Sequence, residues 1–274
     1  MINEEDYSEP RCPLCIDGYK KDAPSSRIPV ARVIAKADEY FSRNDYAGAE
    51  RHFLYWLDEA KAGGDKSGEF AVYNELMGLY RKTARRDDAL KSAEETMRLI
   101  GKMGIENEIA AGTAYVNAGT VYKTFELYEK AYELFKKAER IYIPALGKSD
   151  GRLGAMYNNM ALVAVDLKKY GEARERYKSA LEIMRGAENG ELEMAITYLN
   201  MVDLVAKEKG LLDGAEEVAT YFLFAQKLLD TKSVPRDGYY AFVCEKCADT
   251  FGYYGYFDYQ ADLLKRAKDI YERS

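Results

Sequence analysis

The apolar residues of this chain recur in two alternating patterns. "YAGAERHFLYWLDEA" from Tyr46, "YEKAYELFKKAERIY" from Tyr128 and "YGEARERYKSALEIM" from Tyr170 each read aromatic, two residues, alanine, three residues, aromatic, two residues, apolar or aromatic. That spacing lays the apolar positions along one face of a helix. The small-residue column continues as Ala49, Ala89, Ala131, Ala173 and Ala215, with Gln260 at the end, in steps of 40, 42, 42, 42 and 45 residues. A second amphipathic segment precedes each of these. Its inner face reads Val33, Ala37 and Tyr40; then Tyr73, Met77 and Tyr80; then Tyr115, Gly119 and Tyr122; then Tyr157, Ala161 and Ala164. It continues more weakly through Leu199 and Ala206, and through Cys244, Ala248 and Phe251.

The pattern predicts a repeating unit of two helices. Stretches rich in Gly or polar residues, such as "KAGGDKSGE", "LGKSDGRLG" and "LDTKSVPRDG", separate the units, while turns within a unit, such as "DLKKYGEA", are short. Short turns require antiparallel neighbours, and a pair that cannot bury its apolar face alone must stack on the next. The expectation is all-α: twelve principal helices in six antiparallel pairs over residues 29–274, preceded by an irregular tail over residues 1–28 that carries a C-x-x-C pair.

The segment "YNNMALVAVDLKKYGEARERYKSALEIM", Tyr157 to Met184, resembles the tetratricopeptide repeat: Ala161, Tyr170, Ala173, Tyr177 and Ala180 fall on the family's small and aromatic positions. A period near 42 exceeds the usual length of about 34 residues and is similar to the longer repeats of kinesin light chains and the Leu-Gly-Asn-repeat adaptors. The fifth and sixth repeats depart from the pattern, with Asp203 and Gln260 where small residues are expected. The resemblance implies a right-handed superhelical α-solenoid that acts as a binding scaffold, with its leading helices lining a concave groove.

Asparagine is unusual in helix interiors, because its amide competes with the helix for backbone hydrogen bonds. Nevertheless Asn74, Asn117, Asn158, Asn159 and Asn200, five of the chain's nine asparagines, fall in two adjacent columns of the leading helices. These columns are turned by roughly 100° and 200° from the core-facing position. In the resembled family, asparagines at such places hold the backbone of an extended peptide. Leu162 and Leu204 continue the strip, and Arg81 and Lys123 stand near its end, where they would face an acidic part of a ligand or offset a helix dipole. The alternative reading is structural: asparagines on neighbouring leading helices bond one another and serve only the fold.

With 40 Lys and Arg against 46 Asp and Glu, the net charge is -6 and no basic block occurs, which argues against nucleic acid or an anionic membrane as partner. The first thirty residues lack a signal-peptide pattern and no apolar stretch is long enough to span a bilayer, so the expectation is a cytoplasmic protein. Cys12 with Cys15 and Cys244 with Cys247 form two C-x-x-C pairs. The second falls on an inward helix face and reads as buried thiols, and about fifteen residues of tail, at most about 50 Å, barely reach across the stack. No metal and no cofactor are expected. The single histidine, His52, reads as a packing residue, and no nucleotide, hydrolase or metalloprotease motif occurs, so no catalytic residue is assigned and the chain is not expected to be an enzyme.

The tyrosines total 24, about half of them claimed by repeat packing. Tyr253, Tyr254, Tyr256 and Tyr259 are left over, to cap the last repeat, meet a second copy in a homodimer, or extend the groove. Three functions remain open: a scaffold binding an extended peptide or partner segment, a receptor for a short signalling peptide, and a structural, self-associating scaffold. In the second, a tail this short would leave output to a protein partner.

Overall fold

In a computed structural model of the protein, which describes residues 26–187 and 190–273, twelve helices follow one another without a strand among the described residues. They are α1 (Val30–Ser42), α2 (Tyr46–Gly63), α3 (Lys66–Lys82), α4 (Arg86–Met103), α5 (Ile109–Thr124), α6 (Tyr128–Ala145), α7 (Gly151–Asp166), α8 (Tyr170–Met184), α9 (Gly190–Lys209), α10 (Ala215–Leu229), α11 (Gly238–Tyr253) and α12 (Phe257–Tyr271). Odd-numbered helices lead and even-numbered helices trail, giving the six pairs of an α-solenoid. The chain divides into two compact units, Met1–Ile141 and Tyr142–Ser274. The expected tail with Cys12 and Cys15 lies almost wholly outside the described residues.

The turn inside each pair is set by one left-handed residue. Asn44, Ala84, Glu126 and Lys168 have φ of 55°, 56°, 62° and 59°, and Gly210 and Gly255 follow at 80° and 89°. In five pairs the next amide closes the same ring onto a carbonyl five residues back: Asp45 to Tyr40 and Tyr256 to Phe251 at 2.9 Å, and Arg85 to Tyr80, Leu127 to Tyr122 and Lys169 to Ala164 at 2.8 Å. This is a Schellman closure, which glycine normally favours at the left-handed position. Non-glycine residues hold it here because packing of the two helices fixes the turn from both sides.

Small residues set the distance between paired helices. Ala37, Ala49, Ala89, Ala131, Ala161 and Ala173 have no exposed surface. A Cβ on Gly119 would lie 2.8 Å from the Phe135 ring, so α5 and α6 touch where only hydrogen fits. One contact at the edge of unit 1 ties the entering chain down: Asp65 accepts from the Gly68 amide at 2.9 Å, capping α3, and from the Ile28 amide at 3.0 Å.

The last two pairs correct the expected register. Ala215 is exposed and Gln260 half-buried, and the core position passes instead to Val218 (9% exposed) and Leu263 (0%). The cause is the turn after α9. It spends five residues, "GLLDG", where earlier turns spend three, and α10 therefore presents Val218, Phe222, Ala225 and Leu229 inward. At the last pair a Cβ on Gly252 would meet the Gln260 amide at 2.3 Å, so the small residue stands on the leading helix and the large one opposite.

Three of the four unassigned tyrosines pack internally. Phe222 lies 4.5 Å from the Tyr256 ring and 5.3 Å from that of Tyr254, while Tyr259 stands 4.7 Å from Phe251 and donates to Asp230 at 3.0 Å. Tyr253 remains 84% exposed, and Phe257, expected in the core, is 68% exposed at the first position of α12, where Tyr46, Tyr128 and Tyr170 of the corresponding helices are half-buried. Cys244 and Cys247 are buried free thiols, and burial pushes Cys247 up to about 12. His52 packs beside Tyr40, with Nε2 3.0 Å from the Val33 carbonyl oxygen.

Two stability outcomes are expected. Ala84→Gly relieves a left-handed alanine, a conformation that costs about 1–2 kcal/mol, less the added freedom of glycine in the unfolded chain. The net gain is about 0.5–1 kcal/mol in a urea melt; a loss would mean the turn is not strained. Gly119→Ala goes the other way. Its gain in helix propensity of about 1 kcal/mol is outweighed by overpacking against Phe135 at about 1–3 kcal/mol, so the melting temperature should fall.

Candidate functional site

The leading helices pack on one another as well as on their partners: α1 on α3 and α3 on α5 in unit 1, and α7 on α9 and α9 on α11 in unit 2. Their shared face within each unit is carried on rigid elements rather than loops. It is the candidate site because it gathers the interior asparagines with half-buried charges.

In unit 1, the Asn117 amide donates to Asn74 Oδ1 at 3.1 Å, joining α5 to α3. Both side chains are half-buried. Arg81 is exposed and Lys123 half-buried two turns further along these helices. Sequence reasoning passed over Glu75, which follows Asn74. Burial, reinforced by the Asp38 carboxylate, pushes its carboxyl above the usual range. Gly78, one turn beyond Asn74, sits in open space in mid-helix, with no atom within 4 Å of where a Cβ would be.

In unit 2, the Asn200 amide donates to Asn158 Oδ1, again at 3.1 Å, across α9 and α7. Asn158 is 8% exposed, so the bond satisfies an amide with little access to water. Asn159 turns back to its own helix and donates to the Ala155 carbonyl at 3.0 Å. Leu162 is half-buried, but Leu204 has no exposed surface and belongs to the core. Of the residues expected on the strip, α9 turns Leu204 inward.

One carboxamide bond uses a single N–H and a single lone pair, and each pair of asparagines holds four of each. Pairing thus fixes the orientation of the amides without exhausting them. Further along the strip, Lys207 bridges two carboxylates, 3.0 Å from Asp166 Oδ1 and 3.1 Å from Asp203 Oδ2. Burial works against its charge, but these two partners outweigh it and hold the ammonium above its ordinary value. The sequence signal for this cluster was Asp203 itself, an acid in a small-residue column.

Among the described residues no group of three or more His, Cys, Asp or Glu could hold a metal ion, and no helix is long and apolar enough to cross a membrane. The residues gathered on this face are amides, scattered charges and a glycine gap.

Residues 108–186 match the tetratricopeptide repeat family model. No curated protein matches the sequence. Among solved structures, BtubC (BKLC) from P. vanneervenii is similar, with a TM-score of 0.64 at 18% identity, covering 76% of this chain and 84% of that one. A chain of nearly identical TPR-like repeats from Podosopora anserina, assigned to a kinesin light chain, has a TM-score of 0.50 at 13% identity, covering 73% of this chain and 94% of that one. Likeness at this identity is one of fold. Residues 108–186 carry the tetratricopeptide-repeat family's sequence signature, and the same helix-pair fold continues on either side of them.

Proposed function

We propose that this protein is an interaction scaffold that holds an extended peptide or partner segment against the leading helices of a unit, through the amide pair Asn74–Asn117 in unit 1 or Asn158–Asn200 in unit 2. The observation that carries the reading is the arrangement of those amides. Four helices of high apolar content each place a polar side chain at a mid-helix position where propensity disfavours it, and the pairs stand where a peptide backbone could use the remaining donors and acceptors. Gly78 adds support. A glycine inside an exposed helix costs about 1 kcal/mol relative to alanine, and no neighbour of this one requires it. A surface kept clear for a ligand's backbone would. Arg81 and Lys123 would then meet an acidic stretch of the ligand, and Leu162 an apolar one.

The structural reading has an observation of its own, since each asparagine pair is a hydrogen bond between successive repeats. The two readings differ in what the bond is for. If the pairs serve only the fold, removing them lowers stability and leaves binding intact; if they present amides to a ligand, binding is lost first.

A cycle at Asn158 and Asn200 separates them. Asn200→Ala alone strands the nearly buried Asn158 amide and should cost about 1–3 kcal/mol of stability, whereas the double alanine variant removes both partners and gains helix propensity, so it should melt within about 1 kcal/mol of the parent. Against a peptide recovered by pull-down and mass spectrometry, the double variant should lose about 0.5–1.5 kcal/mol of binding for each hydrogen bond removed. Gly78→Leu should raise the melting temperature and weaken binding at the strip of unit 1. Lowered stability with undiminished peptide binding in the double variant would leave the structural reading standing alone.

A further inference from the structure

We propose that the outward face of α10 is a self-association surface, on which two copies of this chain meet antiparallel about a twofold axis level with the step from Tyr221 to Phe222. The surface lies on a trailing helix of unit 2 and does not depend on the reading of the asparagine strip, which lies on leading helices.

The equivalent helices supply the contrast. Counted from the core alanine onwards, the twelve residues Ala49–Ala60 of α2 and Ala89–Ile100 of α4 each contain four charged side chains, and Ala131–Tyr142 of α6 and Ala173–Met184 of α8 each contain five. In α10 the matching stretch, Val218–Leu229, reads "VATYFLFAQKLL" and contains one, Lys227. Val218, Phe222, Ala225 and Leu229 face the core, so the charges that are missing are those that would face water. In their place stand Ala219, Thr220, Leu223 and Phe224, all exposed, Leu223 at 48% and Phe224 at 38%. Leu212, 94% exposed in the turn before the helix, adds apolar surface at that end. Thr220 contributes little polarity, because its hydroxyl donates to the Glu216 carbonyl of its own helix at 2.9 Å. Phe224 is seated on Tyr198, with 5.1 Å between ring centres, which holds the face in shape from beneath. A solvent-facing side of this composition on an otherwise amphipathic helix marks a contact.

The charges at its two ends say what covers it. Glu216, Thr220, Leu223 and Lys227 follow at steps of four, three and four residues, which puts them on one side of the helix with Glu216 and Lys227 about 17 Å apart. Both are exposed, and neither side chain joins an ion pair among the described residues. An antiparallel copy about the twofold sets each Glu216 against Lys227 of the other copy and each Thr220 against its Leu223, while a parallel copy would set like charges together. A helix of another protein would have to carry the reverse order of charge by coincidence; a second copy of this chain carries it by symmetry. Small residues at Ala219 and Thr220 allow the two axes to approach closely. One helix pair covers less than the roughly 1,200–2,000 Å² of a stable interface, so the dissociation constant is on the order of 10–100 μM.

Sedimentation equilibrium of the full chain, from about 1 μM to about 1 mM, tests this. Wild-type protein should pass from monomer to dimer over that range. Leu223→Asp, at an exposed position, should keep the circular dichroism spectrum and the melting temperature and stay monomeric throughout. Glu216→Lys and Lys227→Glu should each weaken the dimer at least threefold, since like charges then meet at both ends of the contact. An equal mixture of these two variants should recover wild-type association as a heterodimer, and so should both changes placed in one chain, because only an antiparallel contact through α10 restores both pairs. A wild-type monomer at every concentration, a dimer that survives Leu223→Asp, or single variants that fail to recover on mixing would overturn the proposal. Wild-type protein that stays monomeric and co-sediments with phosphatidylcholine vesicles would overturn it as well, and would give the face to a lipid surface. None of the three positions lies among the asparagines, so a monomer that still binds peptide discards only the dimer, and a dimer whose asparagine variant still binds peptide discards only the groove.

Discussion

A helix pair of this kind is apolar on more than one side and can cover only one of them with its own partner. Everything else in the two units follows from the need to cover the other. In unit 2 the second side of one pair becomes the first side of the next, so that residues as distant as Leu192, Val218, Tyr240 and Leu263 share one core. The requirement also explains the tolerance for left-handed turns at Ala84, Glu126 and Lys168: a turn that is locally unfavourable is imposed by two helices that pack well only in that orientation. Between the fifth and sixth pairs, Tyr254, Tyr256 and Tyr259 gather around Phe222 and Phe251.

Much of this was legible because packing imposes a period on the sequence. The alanine column from Ala49 to Ala173 located the trailing helices, and the aromatic columns the leading ones, since close helix approach admits few residue types. Where the period failed, the cause was local and did not show in the pattern. The turn "GLLDG" differs from its counterparts by two residues, yet it rotates α10 and transfers the core position from Ala215 to Val218, an apolar residue that fits the pattern nearly as well. Phe257 is similar, an aromatic side chain that a face pattern assigns inward and that stays outside at the first position of its helix. Columns for the asparagines were legible, but not which amide meets which: Asn74 pairs one column over, with Asn117, whereas Asn158 and Asn200 pair within a column.

That difference bears on how the strip can work. An amide held by its neighbour in the adjoining repeat has lost its rotational freedom before any ligand arrives, so a ligand that uses its remaining donor and acceptor does not pay that ordering again. The same hydrogen bond can serve fold and recognition, and the choice between the two readings of the asparagines is a question of magnitude. Nearly buried Asn158 has the larger structural share; half-buried Asn74 and Asn117 have more of their polar surface available.

Repeats also supply their own controls, because equivalent positions answer what a residue must be for packing alone. Phenylalanine suffices in the column of Tyr177, and a small residue in the column of Asp203. A buried hydroxyl without a partner and an acid at a packing position each weaken the fold relative to those alternatives. Found singly, either is an imperfection of a degenerate repeat. Here the Tyr177 ring still fills its core position while its hydroxyl goes without a partner, and Asp203 is balanced by Lys207, which also reaches back to Asp166 on the preceding leading helix and stands in the column that Arg81 and Lys123 fill in earlier repeats.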